Sequence, residues 1–171
     1  MDRLECLQII GEVSVQWSQV EDHLKEILWV YVGTDRPTFD LLFGKMRGSD
    51  IEALLRRMVA SKESDSAAKA DALEAINRSS IIRENRNTVL HKMRADHVDD
   101  TEKVLPKLTR VRDDLVAHTT VLMECTKRLS IFVSTRDALE TYEDSDHNPV
   151  ETKIPKYQTV TWPPKADKVN F

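Results

Sequence analysis

The sequence predicts an all-α protein: an antiparallel helical bundle of about four helices over residues 1–139, followed by an extended segment over 140–171. Three observations carry this expectation. The 171-residue chain holds only four glycines and few aromatic residues, and it is rich in Leu, Val, Ala, Glu, Lys and Arg, a composition that favours helix throughout. Apolar residues recur at alternating spacings of three and four in every long stretch up to residue 139, the period of a helix with one buried face. Beyond Glu140 that periodicity stops and prolines appear. The length suits one domain with an ordinary core.

Residues 3 to 32 read as one long helix, because Val13, Trp17, Val20, Leu24, Ile27 and Tyr31 form a single stripe, widened by Leu28. Gly33 ends it. Trp17 lies on the stripe and is expected in the core, whereas Trp29 lies off it, at the surface, under the tail or at an interface. His23, beside Asp22, is expected as a solvated helix residue. Thr34-Asp35-Arg36-Pro37 has the form of a capped start with proline in the first turn. A short helix through Phe39, Leu42 and Phe43 should follow, ending at Gly44.

Ser49-Asp50-Ile51-Glu52 has the pattern of a capping box, opening a helix with Ile51, Leu54, Leu55, Met58 and Val59 on one face. After a polar connection over residues 61–65, the next helix spans about Ala67 to Met93. The last begins between Thr101 and Lys107, because Pro106 is tolerated only in a first turn, and continues to about Leu139. Its stripe is Leu108, Val111, Leu115, His118, Leu122, Cys125, Leu129 and Phe132. His118 therefore takes a seam position as a core histidine bonded to a neighbour, and Arg112 is neutralised by Asp113 or Asp114. The tail, with Ile154-Pro155 and Trp162-Pro163-Pro164, is either disordered or wrapped over the bundle through Tyr157, Val160, Trp162 and Phe171; a partner-docking peptide is the other reading.

A net charge of −4 and a pI near 5.8 argue against a non-specific nucleic-acid coat protein, which would be basic throughout. They leave room for a local basic cleft. Cys6 and Cys125 fit no zinc or redox spacing and read as reduced cysteines of a cytoplasmic protein. The longest apolar run, Ile27 to Val32, is too short to cross a bilayer, so no membrane association is expected. Asp96, His97, Asp99 and Asp100 are metal-capable residue types without a recognised spacing, and no metal or other cofactor is expected. The chain has no phosphate-binding glycine loop, dinucleotide turn, nucleophile elbow or metalloprotease motif.

Chemistry concentrates in Arg86-Asn87-Thr88-Val89-Leu90-His91. A guanidinium is permanently charged and offers forked donors to a phosphate, and imidazole exchanges protons near neutrality. Together they are a minimal kit for phosphodiester cleavage. Ser80, Glu84, Asn87 and His91 fall on one polar stripe of an ideal helix, while Arg86 lies about 140° from His91, on a flank with Ile82, Val89, Leu90 and Met93. An arginine there needs a partner. The looser spacing of Arg112 and His118 repeats the pattern, but without the following asparagine and without the basic neighbourhood of Arg78, Arg83, Arg86, Lys92 and Arg94.

The Arg-Asn-to-His block resembles the signature of HEPN domains, all-helical domains found in many prokaryotic ribonucleases and toxins. Trp17 and Glu21 on the first helix resemble small bacterial members of that family. The resemblance implies a homodimer with both motifs lining one cleft, Arg86 and His91 as catalytic residues, Asn87 orienting them, and Glu84 or Ser80 in support. Arg83, Lys92 and Arg94 would then contact RNA. It also implies metal-independent endoribonuclease activity through a 2′,3′-cyclic phosphate, and a cognate antitoxin or other protein partner. The alternative that it leaves open is a non-catalytic helical dimer that binds protein or nucleotide.

Overall fold

The computed structural model describes residues 3–95, 101–143 and 155–169. It contains α1 (Arg3–Val32), α2 (Arg36–Phe43), α3 (Gly48–Lys62), α4 (Ser66–Ala95) and α5 (Thr101–Glu143). Among the described residues the count is five, because the short α2 is a helix in its own right between α1 and α3. Consecutive helices run in opposite directions. Lys25 reaches the carbonyl of Gly44 at 3.2 Å and Trp29 faces Arg36, so α2 runs back along α1. Gly48 then starts α3 against Trp17 and Glu21, and Lys62 ends it on the Tyr31 carbonyl.

One consequence is that α1 and α5, long neighbours in the bundle, are parallel. Glu12 approaches Arg112 at 3.5 Å near their first halves, and near their far ends Tyr31 and Arg136 both grip Glu63. Helix α4 packs between α3 and α5 and runs the opposite way, with Ser79 against His118 and Arg83 against Glu52 of α3.

The stripes account for the core. Val13, Trp17, Val20, Leu24, Ile27, Leu28 and Tyr31 are all buried, as are Leu108, Val111, Leu115, His118, Leu122, Cys125, Leu129 and Phe132. At about 25 cal/mol per Å² of apolar surface removed from water, such stripes supply the main driving force for folding. Gly33 takes φ +71° just after α1, a left-handed conformation that ends a helix cheaply only in glycine. Asp35 caps α2 by accepting from the Thr38 amide at 3.0 Å, and Asp65 caps α4 by accepting from the amides of Ala67 and Ala68.

Four local expectations are corrected. The capping box is not made: α3 begins two residues earlier, with Arg47 rather than Ser49 in the cap position and no side-chain cap. Glu52 is instead buried and bonded to Arg83, because an ion pair between α3 and α4 satisfies its carboxylate where the helix start cannot. Leu42 is exposed while Phe39 is fully buried. His23 is half-buried rather than solvated, and loss of hydration lowers its pKa. The last helix ends at Glu143, four residues beyond the expected Leu139.

Residues 155–169 form no helix but lie as a strap across α4 and α5, so the wrapped reading holds for them. Asp71 organises the strap: its carboxylate accepts from the Tyr157 hydroxyl at 3.1 Å, the Val160 amide at 2.9 Å and the Trp162 indole at 3.1 Å. Asn85 does the same further along, donating to the Asp167 carbonyl and accepting from the Val169 amide. Backbone groups of an extended segment buried against a bundle must find partners, and these two side chains supply them. Phe171 lies outside the described residues, as do the metal-capable Asp96, His97, Asp99 and Asp100. No described helix is long and apolar enough to cross a membrane.

Candidate functional site

The motif block occupies the last turns of α4 and divides between two surroundings. Arg86 projects toward α1, where its guanidinium carbon stands 5.0 Å from the centre of the Trp17 ring. This answers the need for a partner on the apolar flank with a π face rather than a hydrogen-bonded carboxylate. The Arg86 Nε is buried and has no hydrogen-bond partner. Burial pulls its pKa below the ordinary arginine value; Glu21 pulls the other way, and nearby Arg83 adds to the depression. Arginine remains charged under such shifts, so the group is a partly desolvated cation with the Glu21 carboxylate as its acidic neighbour.

The cavity beside it measures about 450 Å³ and is lined by Trp17, Glu21, Met46, Arg47, Gly48, Ser49, Arg83, Arg86 and Asn87. Three elements converge here. Helix α1 supplies the aromatic wall, α4 the guanidinium and the Asn87 amide, and α3 its first turn. A Cβ on Gly48 would stand 2.7 Å from Glu21 Oε1 and 3.1 Å from the Trp17 ring, so a larger residue would displace the Glu21 carboxylate and crowd the Trp17 ring where α3 starts against α1. No side chain caps α3; the Asp50 amide is bonded to the Arg47 carbonyl, while Gly48 and Ser49, the first two residues of the helix, line the cavity, where the positive end of the helix dipole adds to the charge of the arginines.

The other motif residues are distributed as follows. His91, five residues beyond Arg86 and about 7.5 Å further along the axis, is exposed and outside the cavity lining. Lys92 is exposed as well. Glu84 is exposed, 3.9 Å from Lys168 of the strap. Ser80 is half-buried, and its hydroxyl lies 3.4 Å from Arg83. Arg83 lines the cavity but is held by both carboxylate oxygens of Glu52, at 3.1 and 3.3 Å, which neutralises the charge expected for RNA contact. The Arg94 side chain lies outside the described residues. The structure thus gathers Arg86, Asn87 and Arg83 with Trp17 and Glu21, and leaves His91, Lys92 and Glu84 on the surface of the same helix.

The second arginine–histidine pair is built differently. His118 is buried, with Nε2 2.8 Å from the Ser79 hydroxyl and its ring stacked on Trp162 at 5.8 Å. Burial, aided by Arg78 and His23, lowers its pKa to about 3, so it stays neutral. Arg112 is paired with Asp113 at 2.8 Å and with Glu12. Trp29 anchors the turn after α1, its indole donating to the Thr34 carbonyl at 2.7 Å with Arg36 over its ring. Cys6 and Cys125 are free and buried, and burial pushes the Cys125 thiol up to about 12, which makes it unreactive.

The first turn of α3 was not legible as part of the site. The available signal was Gly48 wedged between a basic residue and the start of a helix, which reads from sequence only as a turn. Fold and site together define an all-helical bundle with one partly desolvated arginine at a polar cavity. No protein-family model matches the chain, and no curated protein and no solved structure is similar to it.

Proposed function

We propose that this chain is a metal-independent endoribonuclease of the HEPN-like kind, a toxin or defence ribonuclease that works as a homodimer with Arg86 and His91 as its catalytic residues. The observation that carries the reading is the state of Arg86: a guanidinium seated on Trp17, with Nε buried and unpartnered, beside the Asn87 amide and the uncapped start of α3. These are the groups that a phosphodiester anion would satisfy. In a homodimer the exposed His91 of each copy would supply the two imidazoles that the reaction needs.

In this mechanism one His91 takes the proton from the RNA 2′-hydroxyl. The 2′-oxygen bonds to phosphorus as the bond to the 5′-oxygen breaks, and the second copy's histidine protonates the departing oxygen. Arg86 stabilises the charge that builds on the phosphoryl oxygens, an effect typically worth about 10²–10³ in rate for one such donor. Asn87 orients the phosphate. Cleavage is expected to act on single-stranded or loop RNA, to persist in EDTA, to spare DNA of equal sequence and to leave cyclic-phosphate ends. Metal-dependent cutting or equal cutting of DNA would overturn the mechanism.

A second reading, a non-catalytic dimer that binds protein or nucleotide, is favoured by two particulars: His91 does not line the cavity, and Arg83 is already neutralised by Glu52. A folded dimer that binds RNA or nucleotide without cutting it would select this alternative.

A further inference from the structure

The cavity beside Arg86 holds a residue for which phosphate binding has no use. Glu21 of α1 lines it together with Arg47, Arg83, Arg86 and Asn87, and a carboxylate next to a phosphate seat repels the anion. Nor is Glu21 consumed in an ion pair. Its charge acts on Arg86, yet among the described residues it makes no salt bridge and accepts no hydrogen bond. Glu52 shows the contrast, being buried and bonded to Arg83.

Arg47 is in the same condition. Its side chain is exposed and, among the described residues, makes neither a salt bridge nor a hydrogen bond. It precedes Gly48, where an added Cβ would stand 2.7 Å from Glu21 Oε1, so the carboxylate and the guanidinium belong to adjoining walls of one cavity. Trp17 and Met46 supply apolar surface beside them.

Opposite charges left apart in this way suit a ligand that brings donors to one and acceptors to the other. A carboxylate accepts two parallel N–H bonds, and a guanidinium donates two. Among the four RNA bases only guanine carries both complements: adjacent donors at N1 and N2, and adjacent acceptors at O6 and N7, the edge that arginine reads. Adenine, cytosine and uracil each set an acceptor next to the N–H that would meet Glu21. A volume of about 450 Å³ is within the range of pockets that hold a small ligand.

We propose that Glu21 and Arg47 form a guanine-reading subsite, Glu21 accepting from N1–H and N2–H and Arg47 donating to O6 and N7, next to the phosphate seat of Arg86 and Asn87. The phosphate seat rests on the function proposed above; the reading of the base does not. The guanine comes from an RNA strand or from a free guanine nucleotide, which share this chemistry.

Titration calorimetry of the full chain with the 3′- and 5′-monophosphates of the four ribonucleosides tests it. Guanine nucleotides should bind at least about tenfold tighter than the other three, the discrimination expected of one good bidentate pair. Glu21→Gln and Arg47→Ala should each bring that ratio toward one, whereas Arg86→Ala should weaken all four alike and leave the ratio standing. Inosine monophosphate, which lacks only the 2-amino group, should bind the wild type more weakly than GMP, a readout that does not depend on a variant's folding. A guanine-containing RNA tetranucleotide that binds tighter than GMP identifies RNA as the source, and one that binds no tighter identifies the free nucleotide. Guanine preference in a protein that cuts no RNA upholds the subsite and removes the ribonuclease reading. No binding at millimolar concentration, equal binding of the four bases, or a guanine preference that survives Glu21→Gln overturns the proposal, whatever cleavage shows.

Discussion

Two arginine–histidine pairs of nearly equal spacing occupy neighbouring helices, and the structure treats them in opposite ways. On α5, Arg112 is tied to Asp113 and Glu12, and His118 is sealed between Ser79 and Trp162 with its proton affinity suppressed. On α4, Arg86 is only partly covered, with an orphan Nε above Trp17, and His91 stands in solvent. A spacing rule alone does not tell a reactive pair from a structural one. What separates them is the satisfaction of the two arginines: Arg112 is ion-paired, and the Arg86 Nε has no hydrogen-bond partner.

The largest expected effect lies on the α4 pair. Arg86→Ala should reduce RNA cleavage by about two to three orders of magnitude, measured as initial rate on a labelled RNA, while the melting temperature changes little. Equal loss of activity and stability would show that Arg86 is structural, through its contact with Trp17. Next in size is His118→Ala, which removes a packed ring, strands the Ser79 hydroxyl and undercuts Trp162; a loss of about 2–4 kcal/mol is expected in denaturant unfolding.

A pH series sharpens the contrast. The His118 pKa is depressed in the folded state, to about 3, so the unfolded chain binds the extra proton between that value and the ordinary histidine pKa of about 6.5. Its contribution to stability is then full above about pH 6.5 and is lost as the pH falls toward 3. In a His118→Gln variant that part of the acid sensitivity should vanish. The smallest effect belongs to Arg112→Ala. Its ion pairs are exposed to solvent and worth about 0–1 kcal/mol, so neither melting nor cleavage should move much, and a large loss of cleavage would point to α5 as the active pair.

Much of the bundle was legible in the sequence, for a physical reason. Burial follows helical period, and the stripes through Val13–Tyr31 and Leu108–Phe132 name the core residues of α1 and α5. Caps set by a single residue, such as Asp35 or Gly33, were equally plain. What could not be read were choices settled by long-range partners. Glu52 had the local pattern of a cap but pairs with Arg83, 31 residues away. Asp71 carries no signal of its own, yet gathers three donors from the strap. The candidate site shows the same division. Arg86 and Asn87 stood out by type and spacing, and Trp17 and Glu21 lie in the same cavity, but the start of α3 joins it through packing of Gly48 against Trp17 and Glu21 that no local pattern announces.

The central claim is that α4 carries the chemistry and α5 the architecture, and paired readouts on two histidine variants test it most directly. Cleavage of a labelled single-stranded RNA in EDTA and thermal melting should be measured on the wild type, His91→Ala and His118→Ala. The expected result is that His91→Ala melts with the wild type and does not cleave, while His118→Ala melts lower and cleaves in proportion to its folded fraction. The reverse assignment of these phenotypes, or a folded wild-type dimer that leaves varied RNAs intact, would contradict the account.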